Sequence, residues 1–378
     1  MMFCMGTRPE IIKMAPLIKE CEKRGHNCIL VWSGQHYDKV LFESVFDDLG
    51  VKYPQYNLNA KGTPCEIGSI IFSMLEKIIK SEAPDIVFVH GDTFSALFCS
   101  IASALALVPV GHVEAGLRTN SWEPFPEQIC TRSADAASSL YFAPTMRNVN
   151  NLLSEGYPRD RIFLTGNTIV DAVRIYGDSN PNIRKELGIP DNKKLIFFSA
   201  HRRENTMDKK RMSGIFDSLL SLEEYTIFCA VLPGTQKAAE TYGYLEKLKN
   251  AGHIIWKYPS IEKYTDVLSL IKRSDLILTD SGGLQEEGAS LHVPCLTLRY
   301  VTDRPETVIS GSNKCIGFVK EDIVYEVIKV MENADIREKM VRAENPYGDG
   351  YSSKRIADIV EHFAGRLHRW ENKIKEVV

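Results

Sequence analysis

The sequence predicts an α/β protein: two Rossmann-like domains whose parallel sheets face a cleft. Three observations carry that expectation. Short β-rich runs alternate with longer helical stretches, the pattern of parallel α/β units. The alternation stops in GDSNPNIRKELGIPDNKK (residues 177–194), rich in Gly, Pro and Asn, and then restarts. At 378 residues the chain exceeds one ordinary core, so two domains are the natural division.

In the first half the expected strands are residues 1–5, 29–33, 86–90, 108–113, 140–143 and 161–164. Helical segments such as 11–24 and 67–81 lie between them. In the second half the strands are 195–200, 226–231, 254–257, 276–279 and 295–298. The boundary falls near residues 170–185, giving an N-terminal domain over 1–172 and a C-terminal domain over 173–355. The tail NPYGDGYSSKRIADIVEHFAGRL ends in an amphipathic helix, within 356–378, expected to pack back on the first domain.

Bulk properties exclude several classes. A net charge of −3 argues against a nucleic-acid partner, which would bring a basic surplus. The most apolar stretch, 96–110, is interrupted by Ser100, Ser103 and Pro109. It is shorter than the ~20 residues a membrane span needs and reads as a buried helix. No signal peptide is read at the start. The nine cysteines are singletons without C-x-x-C or zinc spacing, so they read as reduced core thiols of a cytoplasmic protein. Without H-E-x-x-H or D-x-D no metal is expected, and without G-x-G-x-x-G no nicotinamide. Without G-x-S-x-G, acyl chemistry is not expected either.

Open α/β sheets bind ligands at the carboxyl ends of their strands. Arg8, Asp92, Glu114, His201, Ser281 and Arg304 all fall at such ends. Six polar residues from two domains point to one site.

Each stretch also has a bland reading. In GTRPEIIKMAPL, Arg8 and Lys13 either clasp a phosphate or decorate a solvated helix start, where Pro9 is well placed. In VFVHGDTFSAL, Asp92 is either a catalytic base or a helix cap. In VGHVEAGLR, Glu114 ends a buried strand and needs a partner. Arg118 could be that partner; otherwise Glu114 serves catalysis or a ligand. Glu127, in EPFPEQICTR, alone reads as an exposed loop acid. His201-Arg202-Arg203, in FFSAHRRENT, suits an anion with developing charge, and His201 can donate a proton. Arg304, in DRPETV, is either a ligand clamp or a partner of Glu306. In TDSGGLQEEGASL, Ser281-Gly282-Gly283 opens a helix whose amides and dipole suit a phosphate, yet Glu286 and Glu287 follow within a turn.

Taken in order, GTRPEIIKMAPL, HGDT, GHVEAGLR, GNTIVDAV, HRRE, LTDSGGLQEE, DRPE and NPYGDG resemble the non-hydrolysing UDP-N-acetylglucosamine 2-epimerases, from Gly6 to about Ile356. The resemblance implies the glycosyltransferase-B architecture, a homodimer and no cofactor. It also implies interconversion of UDP-GlcNAc and UDP-ManNAc for cell-surface polysaccharides. The reaction would proceed by anti elimination of UDP to 2-acetamidoglucal and re-addition. Carried over, the acid/base carboxylates fall on Asp92, Glu114 and Glu127, and the histidine near the leaving group on His201. The nucleotide contacts fall on Arg8, Lys13, Ser281, Gly282, Gly283 and Glu287, with Arg304 beside them; Glu287 would receive the ribose diol. Two stretches depart from the family pattern: Gln128 follows Glu127, and Leu232-Pro233-Gly234 lacks a histidine.

Overall fold

The computed structural model describes residues 1–34, 39–119 and 125–364. It contains two parallel sheets. The first comprises β1 (Met2–Met5), β2 (Ile29–Trp32), β3 (Tyr56–Asn57), β4 (Val87–His90), β5 (Val110–Val113), β6 (Leu140–Ala143) and β7 (Ile162–Leu164). Its spatial order is β3-β2-β1-β4-β5-β6-β7. The second comprises β8 (Leu195–Ser199), β9 (Thr226–Ala230), β10 (Ile254–Lys257), β11 (Leu276–Thr279), β12 (Cys295–Thr297) and β13 (Asn313–Cys315). Its order is β10-β9-β8-β11-β12-β13.

Both orders reverse once, between β1 and β4 and between β8 and β11. A crevice opens at the carboxyl ends of strands where a doubly wound sheet reverses, so these two points are the candidate ligand positions, one in each unit. The central strands are buried throughout, as expected when helices cover both faces. Phe3 of β1 stacks on Phe88 of β4 with ring centroids 4.9 Å apart, which locks the first reversal point from beneath.

The chain divides into one unit of Met1–Ala172 with residues from Tyr347 onward, and a second of Val173–Pro346. The return to the first unit thus comes at Tyr347, ahead of the expected 355. The helix Ser352–Phe363 belongs to the first unit. Its first amides, from Ser352 and Ser353, donate to the Asp171 carboxylate at 3.0 and 2.8 Å. Arg24 reaches Asp358 and Glu361 at 2.7 and 2.9 Å.

Three expectations need correction. Strands β3 and β13 were not foreseen: two and three residues long (Tyr-Asn and Asn-Lys-Cys), they carry too little apolar signal. The stretch 96–110 is not one buried helix. Helix Phe94–Leu105 buries Ala96, Cys99 and Ala102 but exposes its last residue, Leu105 (77 %), and the turn after it exposes Leu107 (47 %) before β5 begins. Thiols are also not confined to the core, because Cys65 is exposed and Cys315 half-buried; all nine are free. Among the described residues no helix is long and apolar enough to cross a membrane.

Candidate active site

At the first reversal point, Gly6-Thr7-Arg8 leaves β1 and Gly91-Asp92-Thr93 leaves β4. Thr7 caps helix Arg8–Lys23 and Thr93 caps helix Phe94–Leu105, each accepting from the third helical amide. Capping by Thr93 leaves the Asp92 carboxylate out of that role. The Thr93 hydroxyl also donates to Glu10 Oε1 at 2.6 Å, while the Gly6 amide donates to Glu10 Oε2 at 2.8 Å. Burial pushes the Glu10 carboxyl up to about 7, with the bonds from Thr93 and Gly6 pulling the other way.

Glu114 follows β5 with a backbone φ of +69°, a left-handed conformation that costs a non-glycine residue about 1–3 kcal/mol. Its Oε1 accepts from Lys13 Nζ at 2.7 Å and Asn167 Nδ2 at 2.8 Å, and its Oε2 lies 3.4 Å from His90 Nε2. All four side chains are buried. Arg118 is not the partner of Glu114. It pairs with Asp135 at 2.8 Å and Glu155 at 2.7 Å. Asp135 in turn holds His112 Nδ1 at 2.6 Å, and His112 Nε2 lies 2.8 Å from the Gly91 carbonyl. That chain of bonds steadies the turn carrying Asp92.

Glu127 is not an exposed loop acid. It opens helix Glu127–Ala137, and its Oε2 is shut from solvent with no hydrogen-bond partner among the described residues. Burial pushes the nearby Cys130 thiol up to about 12, and the charges of Asp92 and then Glu127 add to it. Those two carboxylates therefore share the neighbourhood of one buried sulfur.

At the second reversal point Asp280 follows β11 and is fully buried. It accepts the backbone N–H of His201 at 2.9 Å, that of Arg202 at 3.0 Å, and Asn205 Nδ2 at 2.9 Å. One carboxylate thus shapes the His201-Arg202-Arg203 loop. Burial holds the His201 imidazole below its ordinary pKa, helped by the charge of Arg202 and opposed by Asp280 and Glu204. A neutral imidazole is the resulting form near pH 7.

Ser281 begins helix Gly282–Leu291, and no side chain caps it. A Cβ on Gly282 would meet Asp303 oxygens at 3.5 Å, and one on Gly283 would meet Ser281 Oγ at 3.9 Å. Both are ordinary contacts. Packing does not require these glycines.

Arg304 pairs with Glu286 at 2.5 Å and Asp303 at 3.6 Å. Arg202 and Arg299 also reach Asp303, at 3.2 and 3.1 Å. Burial raises the Asp303 carboxyl, but the guanidiniums of Arg304, Arg202 and Arg299 outweigh it and hold the group well below its usual range. Glu287 is buried and accepts from the Tyr264 hydroxyl at 3.0 Å.

The sequence profile described as UDP-N-acetylglucosamine 2-epimerase matches residues 19–361. The chain belongs to the UDP-N-acetylglucosamine 2-epimerase family. It is 37 % identical over 369 residues to the UDP-N-acetylglucosamine 2-epimerase of Methanocaldococcus jannaschii, covering 95 % of this chain and 98 % of that one. It resembles the crystal structure of the Neisseria meningitidis UDP-GlcNAc 2-epimerase bound to UDP-GlcNAc, with a TM-score of 0.86 and 34 % identity over 96 % of this chain and 99 % of that one. The M. jannaschii UDP-GlcNAc 2-epimerase in complex with UDP-GlcNAc and UDP gives 0.82 and 35 % over the same shares.

In this member of the epimerase family, Arg8, Lys13, Asp92, Glu114 and Glu127 lie in the first unit, the first four around its reversal point. His201, Ser281, Gly282, Gly283, Glu287 and Arg304 lie in the second. Lys13 and Arg304 are not open cations, because each is committed to a buried glutamate. Sequence reasoning missed Glu10, Asn167, Asp280 and Asp303. Glu10 and Asp280 each stand beside a residue that took the attention, Arg8 and Ser281. The sign that could have found Asp280 is a carboxylate directly after a fully buried strand, where it must find donors.

Proposed function

We propose that the protein interconverts UDP-GlcNAc and UDP-ManNAc without hydrolysing them. The observation that carries this reading is the buried Glu114, held by Lys13 and Asn167 at the end of β5, beside the end of the paired strand β4 that Asp92 follows. Inverting C2 is difficult because its hydrogen is not next to a carbonyl. Breaking the C1–O bond to UDP first makes C1 electron-poor and acidifies C2–H. A carboxylate takes that proton, and the C1=C2 bond of 2-acetamidoglucal forms. Protonation of C2 on the opposite face and return of UDP to C1 complete the inversion.

Acids are therefore needed on two faces of C2, and Asp92, Glu114 and Glu127 supply them. Each positioned acid or base contributes roughly 10²–10⁴-fold in rate. The leaving diphosphate would rest on the open amides after Ser281, with His201 of the same unit near it, and Glu287 would take the ribose. The reading extends to a cytoplasmic homodimer, consistent with free thiols throughout.

The test is an NMR time course of UDP-GlcNAc with the enzyme in deuterium oxide. Deuterium should enter C2 of recovered UDP-GlcNAc and UDP-ManNAc. Free ManNAc with UDP would instead identify a hydrolysing enzyme, and protium retained at C2 during turnover would rule out elimination.

A further inference from the structure

Two motifs stay outside the chemistry above: Gly166-Asn167-Thr168 and the stretch around Tyr347-Gly348-Asp349. In the first unit they meet. The Asn167 amide N–H donates to the Tyr347 carbonyl at 2.8 Å. Gly166 has φ +84°, and a Cβ there would come within 2.8 Å of the same carbonyl and 2.7 Å of Ser352 Oγ. The contact closes only on a glycine.

The Asn167 side chain is 2 % exposed, and its orientation is set by its own backbone. Its Oδ1 accepts from the Ile169 N–H at 3.0 Å. A backbone N–H can face only the oxygen of the amide, so Nδ2 must point the other way. There it donates to Glu114 Oε1 at 2.8 Å, sharing that oxygen with Lys13. One carboxylate oxygen is thus anchored by two donors, and the backbone beneath it is strained. The other oxygen, Oε2, lies 3.4 Å from His90 Nε2.

We infer that Asn167 is a positioning residue for Glu114, held in place by the return of the chain at Tyr347. The inference rests on the functional reading above. Misplacing a reacting group by about 1 Å costs roughly 10²-fold in rate.

Two substitutions separate positioning from mere support. Asn167→Asp retains an oxygen for the Ile169 N–H but sets an acceptor against Glu114 Oε1. Asn167→Ala removes both bonds. Deuterium entry at C2 is measured under saturating UDP-GlcNAc, alongside KM, UDP affinity and Tm. A positioning role predicts that kcat falls about 100-fold or more in Asn167→Asp and less in Asn167→Ala, with KM and UDP affinity within about threefold. A supporting role predicts the reverse order, Ala worse than Asp, with Tm following kcat. That order, or an Asn167→Asp enzyme with wild-type kcat, overturns the inference alone, provided wild type exchanges. If wild type does not exchange, the functional reading falls and takes this inference with it.

Discussion

The two units share a doubly wound sheet and place their polar residues at the same topological point, yet they handle charge in opposite ways. The first unit buries carboxylates under side-chain donors, as with Glu114 beneath Lys13 and Asn167, and leaves Glu127 Oε2 without a partner among the described residues. In the same unit burial pushes the Glu10 carboxyl up to about 7, so that it changes protonation at neutral pH. The second unit surrounds Asp303 with three guanidiniums, which hold it ionised, and uses Asp280 to shape backbone. A unit that must move protons needs the first arrangement. A unit that must hold an anionic ligand needs the second, in which charge is rigid and backbone amides are open.

The contrast can be broken by mutation. The largest effect is expected from Asp92→Asn, which should lower kcat by roughly 10²–10⁴-fold while UDP affinity measured by calorimetry stays within threefold. Next, Asp303→Asn should lower stability by about 2–4 kcal/mol, because three guanidiniums lose a shared, largely buried partner. Denaturant unfolding checks it, and secondary structure should survive.

The pH dependence of stability should run in opposite directions for the two acids. Glu10 has a folded pKa near 7, above its ordinary 4.5, so the folded chain holds the extra proton between those values. Its contribution is present at low pH and is lost as pH rises through 7, by up to about 3 kcal/mol. Relative to wild type, Glu10→Gln should therefore gain stability between pH 5 and 8 in thermal scans. Asp303 is held below its ordinary 3.8, so its contribution is present above that value and is lost as pH falls further. Relative to Asp303→Asn, wild type should keep its full advantage from pH 8 down to 5.

What the sequence made legible follows the same physics. Central strands announced themselves because burial on both faces demands unbroken apolar runs such as Leu276-Ile277-Leu278. Residues at their carboxyl ends could be named because sheet topology puts ligands there. Edge strands β3 and β13 could not, since their polar residues carry no such demand. Pairings were the hardest to foresee. Glu114 and Lys13 are 101 residues apart, and the nearer Arg118 was the natural but mistaken candidate. Asp92 as cap or base was undecidable from composition, because neighbouring Thr93 caps equally well.

The division of labour is tested most directly by measuring C2 deuterium exchange and UDP affinity on the same preparations of Glu114→Gln and Glu287→Gln. Glu114→Gln should lose exchange by at least about 100-fold and bind UDP within threefold of wild type. Glu287→Gln should weaken UDP binding about tenfold and keep exchange at saturating substrate within threefold. Both variants losing rate and affinity in equal proportion would contradict the account.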